Sequence, residues 1–184
     1  MNRELRHAIE VVGAAEAPAG VRTRIVAIDG LGGAGKTTLA EQLASALAAV
    51  VVHTDDFASW ANPIDWWPAL LAAVLEPLAA GDPAVFTPTS WDGAEPQPVR
   101  VEPGGIVLLE GVSASREAFR PYLACSLWVE TPRETRLARG LHRDGEPMRE
   151  QWARWMAAED DYADRERPRE RADLVLRGDR DLWR

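Results

Sequence analysis

Lysine, cysteine and long apolar runs are scarce in this 184-residue sequence, and each scarcity limits what the protein can be. The one cysteine, Cys125, excludes an internal disulfide and is expected to serve as a small buried apolar residue. No stretch approaches the roughly 18 apolar residues of a membrane span, and the charged N-terminal residues do not resemble an export signal. We therefore expect a soluble protein of the reducing cytoplasm.

An excess of basic residues is also missing. The net charge of -8 argues against nucleic acid as a main partner, because binding to a phosphate backbone needs a basic surface. The length favours one main domain over residues 22–184, preceded by an N-terminal helix and linker over residues 1–21. The sequence leaves the oligomeric state, including a homo-oligomer, open.

The one lysine, Lys36, lies in the segment Gly30-Leu31-Gly32-Gly33-Ala34-Gly35-Lys36-Thr37, which matches the phosphate-binding pattern G-x-x-x-x-G-K-[ST]. All the other residues among the 21 Lys and Arg are arginines. A lysine in so arginine-rich a chain indicates a need for a thin ammonium group among phosphate oxygens. The sequence therefore predicts a functional loop, from which Lys36 would reach the β- and γ-phosphates of a nucleotide such as ATP.

The residues on either side of the loop support this interpretation. Residues 24–28 have the apolar pattern of a buried strand and residues 38–44 that of a helix, which is the order that the motif requires. The glycines allow successive backbone N–H groups to point at a phosphate near the positive end of the helix dipole. The alternative is a glycine-rich turn without a ligand. The residues predicted to contact ATP are Gly30, Gly32, Gly33, Ala34, Gly35, Lys36, Thr37 and Thr38.

Four further apolar runs predict more strands. Helical patterns such as that of residues 68–80 separate these runs, which lie near residues 50–54, 106–109, 127–129 and 174–176. Apolar runs spaced in this way are typical of parallel βαβ units. The predicted fold is α/β, a three-layer α/β/α P-loop NTPase fold with a parallel sheet of about five strands and a helical lid. The segment 83–105 is expected to form a long loop or an irregular hairpin.

Three acidic residues follow predicted strands and should share one edge of the sheet with the phosphate loop. Glu110 is expected to support Mg²⁺ together with Thr37 and Asp55, since the ion takes about six oxygen ligands. Asp55 is the candidate general base that would accept a proton from an attacking hydroxyl group. Asp56 is the competing candidate, although one of the two aspartates, more naturally Asp56, could instead cap the following turn. Glu110 could also simply face water at the end of its strand.

Three arginines, Arg136, Arg139 and Arg143, are spaced to lie on one face of a helix after the fourth predicted strand. Arginine forks suit the charge of a transferring phosphoryl group, and a closing lid could bring them onto it. Arg139 and Arg143 are the leading candidates for this catalytic role. The alternative is a solvated helix face that pairs with Glu134 and Asp144.

The tryptophans fall into two groups. Trp152 and Trp155 lie at helical spacing with methionines, so we expect them in the core. Tryptophans just beyond Asp55 could wall a site for the phosphoryl acceptor, with a nearby carboxylate to bind hydroxyl groups, or could simply pack under a loop. The residues predicted to contact the acceptor are Phe57, Trp60, Asp65 and Trp91.

The order of these motifs resembles the uridine kinase and phosphoribulokinase family of P-loop kinases over residues 25–178. The resemblance rests on residues 30–38, Thr54-Asp55-Asp56-Phe57, Leu109-Glu110-Gly111 and the arginine-containing segment 136–144. It implies that Asp55 acts as the base and that Glu110 supports the metal ion. It also implies that Arg139 and Arg143 contact phosphate groups.

The chain departs from this family on the acceptor side. Ala58 follows the D-x-F motif where uridine kinases usually carry Tyr, and the segment 88–92 lacks a Pro-x-Tyr-Asp sequence. We therefore expect a Mg²⁺- and ATP-dependent kinase of a small hydroxyl acceptor, with a nucleoside as the first candidate. Pantothenate-like alcohols, sugars and antibiotics are alternatives within this class. A regulatory ATPase switch is the alternative outside it, whereas a GTPase is disfavoured because no Asn-Lys-x-Asp sequence is present.

Overall fold

A parallel β-sheet forms the centre of this computed structural model, which describes residues 3–59, 62–91, 93 and 95–179. The strands are β1 (Arg24–Asp29), β2 (Val50–His53), β3 (Ala84–Phe86), β4 (Val99–Val101), β5 (Ile106–Glu110), β6 (Leu123–Glu130) and β7 (Leu174–Arg177). Five of them form one sheet in the order β2-β5-β1-β6-β7, with every neighbouring pair parallel. The predicted α/β fold with a five-stranded parallel sheet is confirmed.

Helices cover both faces of this sheet. They are α1 (Arg3–Ala14), α2 (Lys36–Leu47), α3 (Trp67–Leu70), α4 (Glu76–Ala80), α5 (Arg133–Asp144), α6 (Arg149–Glu166) and α7 (Pro168–Arg171). A π-helical stretch, Leu71–Leu75, joins α3 to α4, so the chain is helical over the segment whose apolar spacing predicts a helix. The segment expected to be a loop or an irregular hairpin contains the antiparallel β3–β4 pair.

The central strand β1 shows why the strands are apolar throughout. Ile25 and Ala27 pack into the core on the α3–α4 side, whereas Val26 and Ile28 pack into the core on the α1–α2 side. All four side chains are fully buried. Because both faces of a parallel sheet are covered by helices, a strand in its centre has no solvent-facing side and needs no polar residues.

The core on the α1–α2 side also includes α1 and the lone cysteine. Ala8 and Val12 of α1 are buried in it. Cys125 of β6 is buried there too, and this burial raises the pKa of its thiol to about 12. Within the described ranges, no helix is both long and apolar enough to cross a membrane.

Candidate active site

Several predicted site residues meet at the carboxyl ends of the parallel strands. The phosphate loop follows β1, Asp55 lies just after β2, and Glu110 ends β5, where it is paired in register with Ile28 and His53. They line a cavity of about 230 Å³, which we call the phosphate-loop cavity. Its lining includes Gly32, Gly33, Gly35, Lys36, Thr37, Thr38, Asp55, Glu110, Arg139 and Arg143.

The backbone of the loop has the geometry of an anion-binding turn. Gly33 and Gly35 have φ angles of 77° and 101°, in the left-handed region that favours glycine. A Cβ atom at Gly33 would also lie 2.6 Å from the carbonyl oxygen of Arg136. Lys36 begins α2 and is buried, and its Nζ donates a hydrogen bond to the Leu31 carbonyl oxygen at 3.2 Å. These features fit the phosphate groups of a nucleotide.

Glu110 links the phosphate loop to β2. Its Oε1 accepts a hydrogen bond from Thr37 Oγ1 at 3.3 Å, and its Oε2 lies 2.7 Å from His53 Nδ1. Burial acts to raise the pKa of Glu110, but the hydrogen bond to His53 and the positive charge of Lys36 bring it below its usual value. The same hydrogen bond is the main cause of the raised pKa of His53.

A hydroxyl oxygen and a carboxylate side by side fit the oxygen preference of Mg²⁺. Among the described residues, no group of three or more His, Cys, Asp and Glu side chains is arranged to hold a metal ion. A Mg²⁺ ion held by Thr37 and Glu110, with Asp55 of the same cavity as the further predicted ligand, would take its remaining ligands from phosphate oxygens and water.

Asp55 lies between two cavities. It lines the phosphate-loop cavity and also a larger neighbouring cavity, whereas Asp56 lines neither. Asp55 is exposed at these cavities, whereas Asp56 is half-buried. Desolvation raises the pKa of Asp55, and the positive charge of Lys36 is the largest opposing influence. Of the two aspartates, only Asp55 is thus placed to meet a ligand in these cavities.

The larger cavity measures about 450 Å³ and is lined by three tryptophans among other residues, so we call it the aromatic cavity. Trp91 and Trp155 meet edge to face with ring centroids 5.8 Å apart, and Trp91 Nε1 donates to the Asp55 carbonyl oxygen at 3.0 Å. Trp152 Nε1 donates to Asp144 Oδ2 at 2.9 Å. The lining residues are Asp55, Trp91, Arg143, Asp144, Met148, Gln151, Trp152 and Trp155.

Trp152 is buried, as expected of a core residue, whereas Trp155 is only half-buried. They share one face of α6, as their spacing predicts, but that face borders both cavities. Trp152 also packs against Gly140 of α5, where a Cβ atom would lie 2.4 Å from the indole ring. Helical spacing shows which residues share a face, and it does not show whether the face meets other side chains or an open cavity.

The three arginines of α5 have different surroundings. Arg139 donates to the carbonyl oxygens of Gly33, at 3.2 Å, and Gly178, at 2.8 Å. Arg143 forms a two-point ion pair with Asp144 and lines both cavities. Arg136 is buried and does not line either cavity. The structure therefore brings Arg139 and Arg143, the two leading candidates, to the phosphate-loop cavity.

The residues predicted to contact an acceptor are more dispersed. Trp91 lines the aromatic cavity. Phe57 instead packs against Phe86 in the core, with ring centroids 4.9 Å apart. Asp65 is exposed and lines neither of the two cavities. Trp60 lies outside the described residues.

Two buried acids of the site do not belong to any motif in the sequence. Asp29, at the end of β1, accepts hydrogen bonds from Gly30 N, Ser113 N, Ser115 N, Ser115 Oγ and Tyr162 Oη, at 2.6 to 3.0 Å. The second acid, Glu159 of α6, accepts a hydrogen bond from the loop amide of Gly32 at 3.0 Å. Its helical spacing from Trp152 and Trp155 was the one feature of the sequence that could have placed Glu159 on the same face of α6.

The fold and the loop define a parallel α/β protein with a phosphate-binding loop of the P-loop pattern. No family model matches the chain, and no curated protein matches it. Solved structures do match. One is described as a possible uridine kinase from Bacillus stearothermophilus, with a TM-score of 0.69 and 22% identity over 94% of this chain and 96% of that one.

A second similar structure is a proposed fructose transport system kinase from Silicibacter sp. TM1040. Its TM-score is 0.66 and its identity 18%, over 94% of this chain and 98% of that one. A third, called TT1252 and from Thermus thermophilus, has a TM-score of 0.51 and 22% identity over 88% of this chain and 92% of that one. The resemblance to uridine kinase-like P-loop kinases is thus confirmed as a likeness of fold.

Proposed function

We propose that this protein is an ATP-dependent kinase that transfers the γ-phosphoryl group to a hydroxyl group of a small molecule. The observation that carries the proposal is the position of Asp55 between a phosphate loop and a second, larger cavity. A carboxylate there can accept the proton of a bound hydroxyl as that oxygen attacks the phosphoryl group. A regulatory ATPase would need no second cavity of this kind.

The other residues of the site would position the reactants and stabilise the charge that develops during the transfer. The loop amides and Lys36 bind the phosphate groups, and Arg139 and Arg143 stabilise the charge of the transferring group. Thr37 and Glu110 would hold Mg²⁺, which supplies charge neutralisation at the phosphate oxygens when bound. Asp55 would orient the acceptor hydroxyl group and take its proton. Catalysis by such a site rests on positioning more than on covalent chemistry.

The aromatic cavity is the candidate acceptor site. Flat aromatic walls, a volume of about 450 Å³ and a carboxylate at one end suit a nucleoside, which is the first candidate for the acceptor. A sugar or another small alcohol is the alternative. The names of the similar structures include both a uridine kinase and a fructose transport system kinase, which supports testing both classes.

The proposal is tested by incubating the protein with Mg-ATP and a panel of nucleosides, sugars, pantothenate and hydroxyl-bearing antibiotics. Mass spectrometry then detects any product that is heavier by one phosphoryl group. A phosphorylated nucleoside that is absent with the Lys36→Ala variant is the expected result. Steady formation of ADP that no acceptor in the panel increases would instead favour an ATPase.

The role of Asp55 is tested by comparing Asp55→Asn with Asp56→Asn. The two changes are chemically identical at neighbouring positions, but only Asp55 lines the cavities. We expect Asp55→Asn to lower kcat by roughly 10²–10⁴-fold, with little change in nucleotide affinity, and Asp56→Asn to have a much smaller effect. Normal turnover by Asp55→Asn would exclude this residue as the base.

A further inference from the structure

The carboxylate of Glu159 lies inside the phosphate-loop cavity, although no step of the proposed reaction uses it. Its side chain is only 3% exposed. Glu159 Oε2 accepts the hydrogen bond from Gly32 N at 3.0 Å and lies 3.6 Å from Arg136 Nη1. An acidic side chain therefore occupies part of a site whose amide and cationic groups are suited to phosphate.

The charges around Glu159 are those that a phosphate group would meet. Burial raises the pKa of its carboxyl group, and the strongest opposing influence is the positive charge of Lys36, followed by the Gly32 amide and Arg136. In a phosphate-binding loop this lysine reaches the β- and γ-phosphates. Glu159 and Lys36 line the same cavity, so the carboxylate shares the space into which the terminal phosphate of a nucleoside triphosphate would extend.

The helix that carries Glu159 also forms a wall of the aromatic cavity. Trp152, Trp155, Glu159 and Tyr162 are spaced at i, i+3, i+7 and i+10 along α6, which places them on one face. The two tryptophans line the aromatic cavity, Glu159 contacts the phosphate loop, and Tyr162 is hydrogen-bonded to Asp29. One face of α6 therefore contacts both the phosphate loop and the wall of the candidate acceptor site.

We propose that Glu159 is a specificity-determining residue that competes with the terminal phosphate of the nucleotide for the Gly32 amide and the neighbouring positive charges. This inference rests on the proposed use of a nucleoside triphosphate. Removal of the carboxylate charge relieves its repulsion of the bound phosphates. The relief is larger for ATP than for ADP, because the additional phosphate group of ATP would extend into the cavity that Glu159 lines.

The test is isothermal titration of the wild-type protein and the Glu159→Gln variant with Mg-ATP and with Mg-ADP. Glutamine has nearly the same shape and keeps an oxygen that can accept the Gly32 hydrogen bond, so the change removes the charge and, with it, the ion pair to Arg136. We expect the Kd for ATP to fall about tenfold and that for ADP about threefold or less. Asp161→Asn is the matched control, because it removes one negative charge from the exposed side of the same helix. It should change neither Kd.

The inference is overturned if the variant binds ATP no more tightly than the wild type does. It is also overturned if the Kd values for ATP and ADP fall by the same factor. Weaker ATP binding also overturns it, because Glu159 would then assist the nucleotide. If the glutamine variant does not fold, Glu159→Asp is used instead. Its shorter side chain draws the carboxylate back from the loop, so the Kd for ATP should again fall. If the folded wild type binds neither nucleotide, the proposed function is overturned as well. If the wild type and the variant bind ATP equally tightly, only the inference about Glu159 is overturned.

Discussion

Asp55 lines two cavities, and its carboxyl group loses its proton less readily than an ordinary aspartate does. Desolvation raises its pKa above the usual aspartate value, with the charge of Lys36 opposing the shift. A general base must be deprotonated, so kcat/KM for the acceptor should fall as the pH is lowered through this raised pKa. We expect the acid limb of the pH profile to lie above the usual aspartate pKa.

The control for this profile concerns His53, whose pKa is also raised and which is hydrogen-bonded to Glu110. The profile is therefore measured again with a His53→Gln variant. An acid limb that persists in this variant is assigned to Asp55. A limb that disappears with His53→Gln, or one at the value of an exposed carboxylate, would contradict the prediction.

At the scale of elements, the contact between α5 and α6 depends on a glycine. A Cβ atom at Gly140 of α5 would lie 2.4 Å from the Trp152 ring, whereas one at Gly13 of α1 would meet nothing within 4 Å. Both residues are helical, so Ala should gain about 1 kcal/mol in helix propensity at either position. At Gly140 the overpacking costs about 1–3 kcal/mol and outweighs that gain.

The two alanine variants should thus change stability in opposite directions. Urea denaturation measures the free energy of unfolding, which we expect to rise for Gly13→Ala and to fall for Gly140→Ala. A stabilised Gly140→Ala protein would show that Trp152 can move away from α5 without cost.

Helix α6 is also attached to the end of β1 by one side chain. Tyr162 is fully buried, and its hydroxyl group donates to Asp29 Oδ2 at 2.6 Å. Because the acceptor is a buried carboxylate, we expect Tyr162→Phe to lower the free energy of unfolding by about 1.5–3 kcal/mol. Tyr122→Phe is the control, since the Tyr122 hydroxyl group makes no hydrogen bond within the described part of the chain. Equal stabilities of the two variants would argue against an anchoring role for Tyr162.

At the scale of the whole molecule, a nucleotide that binds to the phosphate loop should increase the thermal stability of the folded protein. A nucleotide that binds only the folded state at about 100 times its Kd stabilises it by about 2.7 kcal/mol. For a chain of this size, we expect Mg-ATP to raise Tm by roughly 5–10 °C in differential scanning calorimetry. Lys36→Ala should abolish most of this shift, and the absence of a shift in the wild type would contradict nucleotide binding.

The architecture could be predicted because its signals are local in the sequence. A strand that is covered on both faces, such as β1 or β5, must be a continuous apolar run, and the glycine loop marks the turn into α2. The β3–β4 hairpin carried no such signal, because two strands of three residues are too short for a clear alternation.

The site could be predicted only in part, because several of its contacts join distant segments. Glu159 and Gly32 are 127 positions apart, and Tyr162 and Asp29 are 133 apart, so neither pair forms a recognisable motif. The placement of Phe57 in the core, rather than at the candidate acceptor site, depends on the position of Phe86 in the hairpin. Side-chain type and spacing suggest chemistry, but tertiary packing decides which groups meet.

Lys36 carries the only side-chain amine of this protein, and it is 7% exposed with its Nζ held by the Leu31 carbonyl oxygen. A reagent that acylates lysine therefore has a single side-chain target, at the centre of the phosphate loop. The rate of acylation at that nitrogen reports the opening of the loop and its protection by ligands, without background from other lysines. The protein thus contains a built-in covalent reporter of its phosphate loop.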